Sequence, residues 1–127
     1  MIEIRQGAEV ALFVGSKCGT VFAEPYTAIG YSVDGRMVGG AVFNGYSGRN
    51  VDLSIGHDAK SWPVAFVRFF GDYVWNTLKV ERMTMIVRPS LVPLCRRMGG
   101  VIEGKLRNWY PNGDAVILGV LKSEWKL

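Results

Sequence analysis

The chain has 127 residues, 49% hydrophobic and 20% charged, which suits one compact domain with a real core and argues against disorder. No apolar run approaches the roughly 18 residues needed to span a bilayer. Glu3 and Arg5 interrupt what would be the apolar part of an export signal, so a cytoplasmic protein is expected.

Two cysteines, Cys18 and Cys95, and a single histidine have no metal-ligand spacing; no metal is expected, and free thiols in a reducing compartment fit the pattern. The net charge of +4 suits polyanions in general, including the phosphates of a nucleotide. The longest basic cluster is only Arg96-Arg97, with Arg82 and Arg88 nearby, which reads as a solvated face rather than a nucleic-acid surface.

In chain order, a short strand is expected at Ile2–Arg5, then a helix near Gly7–Val14 stopped by Gly15; residues 1–26 are the least defined part. Ile29–Val33 reads as a strand, Asp34-Gly35 as a hairpin turn, and Met37–Phe43 as the return strand. Gly39-Gly40 inside it allows a bulge or a close backbone approach. The stretch 44–50 is a turn, and Val51–Ile55 alternates as another strand.

The period then changes. Phe66, Phe69, Phe70, Tyr73, Val74 and Leu78 recur at helical spacing, with Ser61 or Trp62 as N-cap and Pro63 in the first turn. Arg82–Val87 alternates as a strand, Pro89-Ser90 opens a second helix, and Gly99-Gly100 stops it. Val101–Asn108 and Ala115–Lys122 form a hairpin around Asn112-Gly113. The order predicts an α+β fold in one domain, with a parallel crossover joining residues 51–87 if those strands share a sheet.

A strand ending at Gly56, a short polar loop and a helix make a phosphate-binding arrangement, because the first helical turn has free N–H groups and a positive dipole end. Lys60 adds charge there. By itself the arrangement is common to every strand–loop–helix unit.

Three segments carry something more specific: RMVGGAVF, SWPVAFVRFFGDYVWNTLKVERMTMIV and CRRMGGVIEGKLRNWYPNGDAVILGVLKSEW. Together they resemble the GNAT acyltransferases, close to the small ribosomal-protein-alanine-acetyltransferase branch. The last segment is similar to that family's "LGF-x-x-EG-x-L-R … G-D … G-x-L-x-x-E" ending, with Gly99, Glu103, Gly104, Arg107, Gly113, Asp114, Gly119 and Glu124 at matching offsets. "R-x-T" stands at Arg82–Thr84. The resemblance covers the last two-thirds of the chain.

The resemblance implies a mixed, mostly antiparallel twisted sheet of six to seven strands with three to four helices. It also implies an N-acetyltransferase that uses acetyl-CoA as co-substrate and an amine acceptor: a protein N-terminus, a lysine or a small molecule. A fold that has lost turnover and works as a binding or structural module is the alternative. The expected partners are acetyl-CoA and the acceptor, with a homodimer left open and neither membrane nor nucleic acid expected.

By the same resemblance the pantetheine arm pairs with the backbone of Leu53, Ser54 and Ile55, and the pyrophosphate meets Lys60, Ser61, Trp62, Val64 and Ala65. Arg88 and Ser90 lie near the arm; Tyr26, Trp109 and Tyr110 border the acceptor. Asp52 and His57 are the candidate bases, each set against an ordinary surface role. The departures are specific. The pyrophosphate loop lacks its glycines, the usual Asn is replaced around Pro89-Ser90-Leu91, and the usual Tyr proton donor is Cys95, which is either a thiol acid or a buried small hydrophobe.

Overall fold

The computed structural model describes residues 1–59 and 61–127. Seven strands form one sheet: β1 (Ile2–Gln6), β2 (Thr27–Val33), β3 (Arg36–Asn44), β4 (Asn50–His57), β5 (Arg82–Val87), β6 (Val101–Tyr110) and β7 (Gly113–Leu121). Their order is β1-β2-β3-β4-β5-β7-β6, and only the β4–β5 pair is parallel. This is the expected mixed, mostly antiparallel α+β sheet. Helix α1 (Ala8–Cys18) covers one face; α2 (Val64–Asp72), continued by a π-helical turn over Tyr73–Leu78, covers the other. A short helix α3 (Val92–Arg97) follows β5 after a 3-10 turn at Pro89–Leu91.

Side-chain alternation along β4 divides the molecule. Val51, Leu53 and Ile55 enter the larger core with Phe66, Phe70 and Val74 of the α2 side. Asp52, Ser54 and Gly56 face the α1 side, where Val10, Val14, Ala28 and Val42 make a smaller core. Helix α1 sits close because the strands under it carry no side chains at its axis. Gly30 pairs with Gly40, and Gly40 with Gly56, giving a glycine row across three strands. A Cβ at Gly40 would lie 2.8 Å from Val10 and 2.9 Å from Val14 side-chain carbons, and one at Gly56 3.0 Å from the Val14 Cα. The close approach read from Gly39-Gly40 is therefore the seat of a helix.

The two turns read from Asp-Gly and Asn-Gly stand where expected. Asp34 (φ 51) and Gly35 (φ 83) both take the left-handed conformation that a tight hairpin needs. Two helix boundaries differ from expectation. Helix α1 runs through Gly15 to end at Gly19 (φ 71), and Gly15 is small because a Cβ there would be 2.5 Å from the Thr20 carbonyl oxygen. Helix α2 starts at Val64 with Pro63 as its N-cap residue, so neither Ser61 nor Trp62 caps it.

The family-like residues near the C-terminus form a scaffold. The Arg82 guanidinium pairs with Glu103 of β6 at 2.6 Å across Gly119 of β7, where a Cβ would lie 2.6 Å from both side chains. Arg82 Nε also donates to Thr84 Oγ1, Thr84 donates to Asn50 Oδ1, and Asn50 Nδ2 donates to Asp52 Oδ1. One polar network thus crosses four strands on the α1 side. Asp114 accepts from the Asn108 N–H at 2.8 Å and shapes the β6–β7 hairpin, which holds its carboxyl below the usual range.

Gly40→Val fills the seat of α1 and is expected to destabilise the fold by about 1–3 kcal/mol, the range for overpacking. Urea titration checks it; an unchanged midpoint would show that α1 does not depend on the glycine row.

Candidate functional site

The ladder between β4 and β5 ends early. It runs from Asn50–Arg82 to Ser54–Ile86, whereas β4 stays paired with β3 as far as His57 and β5 with β7 as far as Val87. The two central strands therefore splay. The Asp58 N–H bonds back to Val38 O of β3, so alternation turns the backbone groups of Gly56 toward β3 and those of Ile55 and His57 toward the vacated side. Leu53 and Ser54 still have β5 partners, which moves the open edge to Ile55–His57, two residues beyond the expected start.

On the α1 side of the splay lies a cavity of about 230 Å³ lined by Cys18, Thr20, Phe22, Ser54, Trp109 and Tyr110. Three of these were expected from the sequence; Cys18, Thr20 and Phe22 come from the N-terminal part that sequence reading left undefined. The Cys18 thiol points at the Ile55 carbonyl, 3.6 Å away, and burial raises its pKa while Arg88 opposes. Tyr110 is buried and donates to Ile86 O at 3.4 Å, and its burial holds the phenol protonated far above neutrality.

Arg88 does not point into an empty arm site. Its Nη2 donates to Lys17 O at 3.1 Å, its Nη1 to Asn112 Oδ1 at 3.1 Å, and its guanidinium lies 4.1 Å from the Tyr110 ring centre. A cation on the last carbonyls of α1 suits the negative end of that helix. Lys17 in turn pairs with Asp58 after β4. A polar strap therefore ties the ends of α1, β4, β5 and the β6–β7 turn around the mouth of the splay. Ser90 stands exposed in the following 3-10 turn.

His57 and its neighbours occupy the opposite, α2 side. His57 Nδ1 donates to Ala59 O at 2.6 Å, which leaves Nε2 to accept the Tyr31 hydroxyl at 2.7 Å. Trp62 packs edge-on against His57 and turns back along α2 to reach both Phe66 and Phe70. The first helical N–H groups, of Val64 and Ala65, have no partner within α2, and both residues are exposed next to exposed Ser61. Lys60 lies outside the described residues.

The remaining candidates are separated. Cys95 is fully buried, and desolvation pushes its thiol up to about 12, the behaviour of an inert core residue. Asp52 and His57 sit on opposite faces of β4. Asp52 and Tyr26 meet instead in a larger groove of about 750 Å³ at the other end of β4, with Thr27, Phe43, Tyr46 and Tyr73. Among the described residues there is no group of three or more His, Cys, Asp or Glu side chains suited to a metal, and no helix is long and apolar enough to cross a membrane.

Burial lowers the His57 pKa from the ordinary 6.5, partly offset by the Ala59 carbonyl and Asp58. A ring whose folded value lies below its unfolded value contributes stability that is full above pH 6.5 and is lost as pH falls toward the folded value. His57→Gln should flatten the loss of stability below pH 6.5 in urea titrations; an identical pH profile in wild type and variant would contradict this.

No protein-family model matches the chain, and no curated protein matches it. Solved structures do. A probable acetyltransferase is 21% identical with a TM-score of 0.63; the match covers 77% of this chain, which spans 62% of that protein. The ribosomal-protein-S18-alanine N-acetyltransferase from Escherichia coli is 17% identical over 95% of this chain and 94% of its own, with a TM-score of 0.63. A GNAT family acetyltransferase from Elizabethkingia anophelis, with acetyl-CoA bound, is 9% identical over 94% and 97%, with a TM-score of 0.62. With the seven-stranded sheet and the splay after Ser54 and Ile86, these likenesses establish that the chain has the fold of the GNAT acetyltransferases.

Proposed function

We propose that the chain is an acetyl-CoA-dependent N-acetyltransferase that carries its thioester at the splay and receives its amine from the α1 side. The observation that supports this most is the open edge at Ile55–His57, which a short loop joins to a helix N-terminus without a side-chain cap. The pantetheine arm adds to that edge as an extra strand, and the pyrophosphate takes the N–H groups of Val64 and Ala65 with the Ser61 hydroxyl. Net positive charge favours such a polyanion.

The amine enters through the cavity of Cys18, Ser54, Trp109 and Tyr110. Its nitrogen attacks the thioester carbon, the C–N bond forms, and the C–S bond breaks to release the thiolate. No carboxylate or imidazole lines this cavity, so the reactive species is the neutral amine supplied by solvent, and the proton it sheds returns there. The imidazole of His57 has both nitrogens engaged on the other side of the sheet, and Cys95 is sealed in the core. Tyr110, which retains its proton, turns its O–H from the Ile86 carbonyl to the departing thiolate.

One observation favours the second reading, a binding module without turnover. Trp62 lies along α2 where the arm must pass. The first reading requires that ring to swing aside.

Thiol release measured over a set of primary amines separates the readings. Under the enzyme reading kcat/KM rises about tenfold per pH unit up to the pKa of the amine, because only neutral amine reacts. A plateau well below that pKa would reveal a protein base. No release with any amine, together with retained acetyl-CoA binding, would support the second reading. Trp62→Ala should lower KM for acetyl-CoA several-fold by removing the obstruction; a raised KM would mean that the indole is a cofactor contact.

A further inference from the structure

The groove at the N-terminal end of β4 holds about 750 Å³, and the acetyl-transfer reading leaves it unused. Its walls are Tyr26, Phe43, Tyr46 and Tyr73, brought together from the start of β2, the end of β3, the following loop and the π-helical turn. Tyr73 is fixed in place by donating to Thr27 Oγ1 at 2.8 Å and by an edge contact with Phe43 at 5.4 Å. Among the lining residues only Asp52 carries a charge.

That carboxylate is held but not neutralised. Asn50 Nδ2 donates to its Oδ1 at 3.0 Å, and Asn50 is itself fixed by Thr84 at 2.6 Å. Among the described residues no lysine or arginine pairs with Asp52. Its Oδ2 faces Gly45: a Cβ built there would lie 2.6 Å from that oxygen. Any side chain at position 45 would lie on the carboxylate, and glycine leaves it open toward the groove. A carboxylate in a groove that tyrosines also line suits an organic cation, which gains an ion pair and ring contacts in one place.

We infer that this groove is a binding site for an alkylammonium group, with Asp52 as counter-ion and Tyr26 and Tyr46 as its aromatic walls. The inference is independent of acetyl transfer, since the groove shares no lining residue with the cavity at the splay.

The test is a titration of the ¹⁵N-labelled full chain with n-hexylammonium, followed by amide shifts, with n-hexanol as the neutral match. Saturable shifts are expected at Thr27, Gly45, Tyr46 and Asp52 with the ammonium and not with the alcohol. Asp52→Asn keeps the shape and the Asn50 hydrogen bond, and should weaken binding about tenfold or more. Tyr46 is 57% exposed, so Tyr46→Ala is not expected to disturb the fold and should weaken binding a few-fold. Repeating the titration with 1,4-diaminobutane and with a blocked lysine peptide distinguishes a free diamine from a protein side chain as the source. Equal affinity for hexanol, shifts confined to Cys18, Ser54 and Tyr110, or no saturable shift would each overturn the inference.

Discussion

The structure depends on a mismatch in strand pairing. β4 is held by β3 to its last residue and β5 by β7 to its last, yet the two let go of each other after Ser54 and Ile86. A parallel pair buried between two helical layers normally keeps every backbone group occupied. Here the departure leaves the groups of Ile55 and His57 turned toward a wedge-shaped gap. The features that the acetyl-transfer reading uses are arranged around that gap: the N-terminus of α2 at one side, the cavity of Ser54 and Tyr110 at the other, and the thiol of Cys18 on the Ile55 carbonyl.

Something must keep such a wedge from closing or tearing. The glycine row lets α1 lie flat on β2, β3 and β4, which delivers Lys17 and Cys18 to the gap. Arg88 then joins the end of α1 to the end of β5 and to Asn112, and Lys17 joins it to Asp58. Below the gap, the chain of Asp52, Asn50, Thr84, Arg82 and Glu103 holds the same strands together. The wedge is thus framed by polar ties above and below, while the apolar cores fix its flanks. Exposed ion pairs add little energy singly, so their role here is to set register and orientation.

Much of this was legible in the sequence. Arg82, Thr84, Glu103 and Gly119 stand at the offsets that suggested the fold because they touch: the ion pair needs a glycine strand to cross. The recognisable residues are therefore scaffold, and they say little about the acceptor. The β-strands and turns were readable because alternation and Asp-Gly or Asn-Gly pairs have local causes. The N-terminal part was not, since Gly15 looks like a helix stop and is in fact a contact with the Thr20 carbonyl, which only the return of the chain creates. Cys18 and Phe22 were missed for the same reason. Residues 52 and 57 differ in parity on one strand, so their opposite faces follow from the strand geometry alone. The meeting of Asp52 with Tyr26 depends on tertiary packing and had no local signal.

The central claim is that the open edge at Ile55–His57 and the first turn of α2 hold acetyl-CoA. Titrating the ¹⁵N-labelled chain with acetyl-CoA and mapping backbone amide shifts tests it directly. The account predicts saturable shifts centred on Ile55, Gly56, His57, Val64 and Ala65. Shifts confined to the Gly45–Asp52 groove, or none that saturate, would contradict it.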